Sequence, residues 1–165
     1  KRSSDSIWDR LIEHVSGPNY TLLSLDKEAG TMRIAFSSSD PTEYVESGYL
    51  KNGWPVNRSW APIVTSTIYL NHLQDCQRVW LDGEALVQVL PVDETHHMLK
   101  VNADYQITAK LDSEGQKASI ENWTFSTDTR DAKFVDREHG MRVMQSSHKV
   151  EKGLLTLVYF IPLKN

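Results

Sequence analysis

Four sets of side chains in this sequence could carry chemistry: adjacent histidines, a lone thiol, neighbouring carboxylates, and aromatics gathered in a polar segment. His96 and His97 invite a metal reading. Adjacent side chains on a strand point to opposite faces, so the two do not share one ion, and a metal site needs three or four donors at suitable spacing. His14, His72, His139 and His148 form neither an H-x-x-x-H nor an H-E-x-x-H pattern. No metal or other cofactor is expected. Cys76, between Gln74-Asp75 and Gln77-Arg78, matches no catalytic signature, although Arg78 could lower its pKa; an idle thiol is the plainer reading. There is no G-x-S-x-G, and Ser37-Ser38-Ser39-Asp40 reads as a loop and cap. Asp93 with Glu94, and Asp136 with Glu138, read as solvated surface. Neither phosphate-loop nor dinucleotide glycine spacing occurs.

The aromatics are the better candidates. Tyr44, Tyr49, Trp54 and Trp60 fall in one polar stretch punctuated by Gly48, Gly53, Pro55 and Pro62. A ring in such a segment can stack on a sugar, a peptide or an apolar ligand. The alternative is that the segment folds back and covers an open edge of the core, because tryptophan is usually largely buried. Asn19-Tyr20-Thr21, Asn57-Arg58-Ser59 and Asn122-Trp123-Thr124 match the glycosylation triplet, which matters only in a eukaryotic secreted protein.

Composition narrows the classes further. The chain has 165 residues, 39% hydrophobic and 24% charged, with a formal net charge of −4. One globular domain over residues 1–165 is expected, able to bury roughly two-thirds of its unfolded surface without a metal or disulfide. No basic excess is present to neutralise phosphates, which argues against nucleic acid as a partner. A single cysteine excludes an intramolecular disulfide and leaves the redox compartment open. No run reaches the roughly 18 apolar residues of a membrane span.

The elements that must position these residues can be read from periodicity. Ile7, Trp8, Leu11, Ile12 and Val15 mark an amphipathic helix, with Ser6 and Asp9 as a capping box or Ser3 or Ser4 as the cap, ended by Gly17-Pro18. Tyr20–Leu25, the turn Asp26–Gly30, and alternating Met32, Ile34 and Phe36 predict a hairpin. Residues 37–62 are expected to be a long irregular connection. Strands are expected at Ile63–Leu70, at Arg78–Leu81, and, after an Asp82-Gly83 turn, at Ala85–Leu90. Leu99 to Leu111 alternates without interruption, which predicts a long strand buried on one side of an antiparallel sheet. After a turn at Asp112–Gly115 the chain should return over Lys117–Ser126. Ile120 would then face Ile107, and a bulge near Asn122 would restore the phase of Trp123 and Phe125. Thr127–Asp136 reads as loop and Met141–Met144 as a short strand. The last apolar stretch, 150–161, reads as a buried strand, with a helix as the alternative. The fold class is α+β: a mainly antiparallel, curved sheet with the N-terminal helix packed on it, a helix-grip-like arrangement.

The order Trp8, Leu11, Ile12, then Tyr20–Leu25, Asp26–Gly30 and Met32-Arg33-Ile34-Ala35-Phe36 resembles a module of proteobacterial envelope lipoproteins. In these a helix leads into a hairpin whose turn carries Asp and Gly, as in domains of the C component of the outer-membrane barrel-assembly machinery. Residues 39–48 also resemble lipoproteins with a Tyr-Val-Asp-Cys-Gly segment and a second cysteine near the C-terminus. Here Ser47 stands at the first cysteine position and Gln145-Ser146-Ser147-His148 offers none, so that family's disulfide is absent. The resemblance covers about 45 residues. It implies a domain on the periplasmic face of the cell envelope, tethered by an N-terminal lipid, with no catalytic residue; a cytoplasmic location is the alternative.

Three functional readings follow. The first is a non-enzymatic envelope domain that binds a protein, peptidoglycan or lipid through the aromatic loop 44–60. The second is a carrier of an apolar small molecule in a cavity between sheet and helix. The third is a hydrolase whose residues are brought together only in space.

Overall fold

A computed structural model of the chain describes residues 4–50, 63–65, 78–93, 96–111, 119–136 and 140–159. The fold is α+β, and the chain divides into two compact units. Unit 1 holds residues 1–38, 82–104 and 148–165; unit 2 holds residues 39–81 and 105–147.

In unit 1, helix α1 spans Ser4–Val15. Its stripe Ile7, Trp8, Leu11 and Val15 is at most 5% exposed, and each such side chain contributes about 1.5–3 kcal/mol of burial. The helix starts at Ser4, so Ser6 lies in its first turn and not at the cap. Strands β1 (Tyr20–Asp26) and β2 (Thr31–Ser38) form the expected antiparallel hairpin. The Asp26 carboxylate accepts the Ala29 N–H at 2.8 Å, and Gly30 closes the turn at φ +67°, a conformation a side chain resists. Met32, Ile34 and Phe36 are buried. The order of strands in this unit is β1-β2-β5-β6, with β5 at Arg78–Pro91 and β6 at His97–Leu111, both of which run on into unit 2.

Strand β5 corrects one expectation. Asp82-Gly83 is not a turn; a single strand runs through it. Leu81, Gly83, Ala85, Val87 and Val89 share one side by alternation, and the four with side chains are buried. A Cβ at Gly83 would stand 2.3 Å from Phe36 Cζ and 2.6 Å from the Asp104 carbonyl oxygen. This glycine therefore answers to a close approach of neighbouring strands and not to a bend. On the wet side, Arg33 pairs with Glu84.

The final segment is also corrected: Lys149–Tyr159 is a helix, α2, and not a strand. Val150 and Leu154 are fully buried one turn apart, and α2 packs against α1. The Thr156 hydroxyl, a poor fit to a helix interior, is satisfied by donating to the Lys152 carbonyl at 2.6 Å.

In unit 2, β6 pairs with β7 (Ser119–Ser126), and a second group of strands has the order β4-β3-β9-β8. These are β3 (Val45–Leu50), β4 (Ile63–Thr65), β8 (Arg130–Asp136) and β9 (Gly140–Ser146). The pairings β3–β4, β3–β9 and β8–β9 are antiparallel. The alternation of β6 holds: Val101, Ala103, Tyr105, Ile107 and Ala109 are buried. The β7 register differs from expectation. Tyr105 stacks on Phe125 with centroids 5.2 Å apart, and the Thr108 hydroxyl donates to Asn122 Oδ1 at 3.0 Å. Both contacts place Ile107 beside Trp123, three residues beyond the expected Ile120. Ile120 is accordingly 62% exposed while Trp123 and Phe125 are buried, and their alternation needs no bulge at Asn122.

Two stretches expected to be irregular are strands. Residues 130–136 form β8 after a tight turn in which Ser126 and Thr129 exchange backbone hydrogen bonds at 3.3 Å. Its polar composition fits a strand at the end of the strand order. Within 37–62, β2 extends to Ser38 and β3 occupies Val45–Leu50. The expected strand residues 66–70, the polar break 71–77 and the turn 112–115 lie outside the described residues.

Candidate functional site

Tyr44 and Tyr49 are the two sequence-derived candidates that the structure describes; Trp54 and Trp60 lie outside the described residues. The chain enters their neighbourhood through a short 3-10 turn, Pro41–Glu43. Asp40 caps it by accepting the Thr42 N–H at 3.0 Å, and Pro41 supplies a preset φ at the first position. Ser37–Asp40 therefore does end in a cap. Tyr44 closes the turn by donating its N–H to the Pro41 carbonyl at 2.9 Å. Its own carbonyl accepts the Ser147 N–H at 3.0 Å, and the Ser147 hydroxyl donates to the Glu43 carbonyl at 2.7 Å. Half-buried Tyr44 is thus pinned where β3 begins beside the end of β9.

Tyr49 belongs to β3 and not to a loop. It stands opposite Val64 of β4 on one side and Arg142 of β9 on the other. Arg142 in turn stands opposite Lys133 of β8. Directly opposed residues of an antiparallel ladder lie close enough to interact, and two cations placed so repel unless their surroundings offset it. Lys133 has such surroundings. Its ammonium lies 4.2 Å from the centroid of the Trp123 ring and 4.0 Å from Asp131, and it donates to the Asn122 carbonyl. Asp131 also accepts the Thr124 N–H at 3.2 Å, so β7 and β8 are tied together beside the lysine. The ladder therefore places Tyr49, Arg142 and Lys133 at adjacent register positions. Lys133 falls in a stretch that composition reads as loop, and Arg142, inside the expected strand Met141–Met144, has its partner Tyr49 in a stretch that also reads as irregular. A faint signal existed: Ala132 and Phe134 alternate with Asp131 and Lys133.

The other candidates are dispersed. His96 is a turn residue between β5 and β6. Its ring Nδ1 is 2.9 Å from both carboxylate oxygens of Asp93, and its N–H donates to Asp93 Oδ1 at 2.8 Å. His97 opens β6. Among the described residues, no group of three or more His, Cys, Asp or Glu side chains is close enough to hold a metal ion. His148, at φ +60°, precedes α2 and lies 3.6 Å from the buried carboxylate of Glu151. Cys76, His72, His139, Glu94 and Glu138 lie outside the described residues. A surface groove of about 400 Å³ in unit 1 is lined by Arg10, Glu13 and His14 of α1 and by Leu157 of α2. Among the described residues, no helix is long and apolar enough to cross a membrane.

No protein-family model, no curated protein and no solved structure matches the chain.

Proposed function

We propose that this chain is a non-enzymatic binding domain of the cell envelope, facing the periplasm. In this reading the aromatic segment 44–60, with Tyr44, Tyr49, Trp54 and Trp60, engages a protein or another envelope component such as peptidoglycan. The observation that carries it is the register of β3: Tyr49 stands directly opposite Arg142, which stands opposite Lys133. An aromatic register position beside cationic ones combines the residue types that stack on one part of a partner and attract its negative charge with another. The hydrogen bonds between Tyr44 and Ser147, and between Ser147 and Glu43, support the same reading, because they hold the start of the segment in one geometry. Location in the envelope rests on the resemblance of residues 8–48 to envelope lipoproteins.

The test is a comparison of the parent chain with a Trp54→Ala/Trp60→Ala double variant. Both are assayed for co-sedimentation with peptidoglycan sacculi and for binding to individually purified envelope proteins. Truncation of binding rings should weaken retention about tenfold or more, with an unchanged far-ultraviolet circular dichroism spectrum. Equal retention of parent and variant, or no retention of either, would reject the segment as the binding element.

A further inference from the structure

We propose that the groove between α1 and α2 binds a small zwitterion, an α-amino acid with an apolar side chain. The groove lies within unit 1, holds about 400 Å³, and brings Arg10, Glu13 and His14 of α1 together with Leu157 of α2. That volume suits a small molecule. Arg10 and Glu13 stand three residues apart on one helix, where opposite charges are within reach of each other. Here they do not pair. Among the described residues, no hydrogen bond or ion pair engages either side chain. Arg10 is nonetheless half-buried, and its guanidinium is always charged. A cation drawn partly out of water without an acceptor is suited to taking one from a ligand.

The chemistry of the walls selects the ligand. A carboxylate answers Arg10 and an ammonium answers Glu13, so a ligand with one charge leaves one wall without its complement. The two charges must also lie close together, because Arg10 and Glu13 are neighbours on one helix surface, about 5–6 Å apart at their Cβ atoms. An α-amino acid carries both charges on one carbon, whereas a longer peptide carries them at opposite ends. Leu157, half-buried on the helix packed against α1, offers an apolar contact to the ligand's side chain. The His14 ring lies against Tyr20, with centroids 5.5 Å apart and planes tilted by 42°, which gives the groove a fixed side.

Titration of the whole chain with L-leucine, followed by backbone amide chemical shifts, reads the site directly. The shifts should saturate between about 10 µM and 10 mM ligand and centre on α1 and α2. N-acetylleucine keeps only the carboxylate and leucinamide only the ammonium, so each should bind about tenfold more weakly or worse. Glycine keeps both charges without an apolar part and should also bind more weakly than leucine. Arg10→Gln and Glu13→Gln change a half-buried and an exposed side chain. Both should keep the parent's circular dichroism spectrum and lose about tenfold in affinity for leucine. The proposal is overturned by shifts that do not saturate or that centre elsewhere. It is equally overturned if a capped derivative or glycine binds as leucine does, or if either variant binds leucine as the parent does.

Discussion

Replacing Gly83 by alanine adds one methyl group at a point where two neighbours already occupy the space. The new Cβ would stand 2.3 Å from Phe36 Cζ and 2.6 Å from the Asp104 carbonyl oxygen. The ring can rotate away only by disturbing the buried row of β2, and the carbonyl belongs to the backbone of β6. Overpacking of this kind costs about 1–3 kcal/mol, and a backbone atom among the clashes puts Gly83→Ala at the upper end. For a chain of this length that is a fall in Tm of about 6–12 °C. Gly153→Ala is the internal control. It lies inside α2 with nothing within 4 Å of the added Cβ, so the same methyl should stabilise by about 0.5–1 kcal/mol. Urea unfolding followed by circular dichroism gives both changes from the midpoints. Opposite signs are expected. A Gly83→Ala variant within about 0.5 kcal/mol of the parent would refute the close approach of β2, β5 and β6 at this position. Gly83→Asn separates strand from turn: asparagine tolerates a positive φ, so a turn would accept it, whereas the strand should reject it at least as strongly as alanine.

Two further variants test other parts of the fold. Leu154→Ala empties a fully buried position of α2 and should destabilise by about 2–5 kcal/mol in the same urea assay; a loss under 1 kcal/mol would mean that α2 is not packed as described. Thr108→Val removes the hydroxyl that donates to Asn122 at 3.0 Å. Because Asn122 is exposed and can turn to water, the loss should stay near 0.5–1 kcal/mol, about the net worth of one hydrogen bond.

The aromatic candidates were legible only in part. Gathering Tyr44 and Tyr49 with Trp54 and Trp60 needed nothing but their spacing. That Tyr49 faces Arg142 depends on pairing between segments about ninety residues apart, which no local pattern encodes, whereas Arg142 faces Lys133 through the neighbouring strands β8 and β9. Trp123 lies under Lys133 for a local reason, the tight turn at Ser126–Thr129.

The sequence by itself determined the elements whose cause is local. The apolar stripe of α1 with its Gly17-Pro18 stop, the β1–β2 hairpin closed by Gly30, and the long alternation of β6 each follow from side-chain period or backbone freedom within a few residues. Only the tertiary structure decided the rest. Gly83 looked like a turn because glycine serves equally for positive φ and for close approach, and the ring of Phe36 chooses between them. Ile120 looked like core because register is set by the partner strand, and a three-residue offset sends it to solvent. Residues 150–159 fit a buried strand or a helix equally well in composition, and packing against α1 selects the helix, since a segment that short takes the form its neighbour rewards.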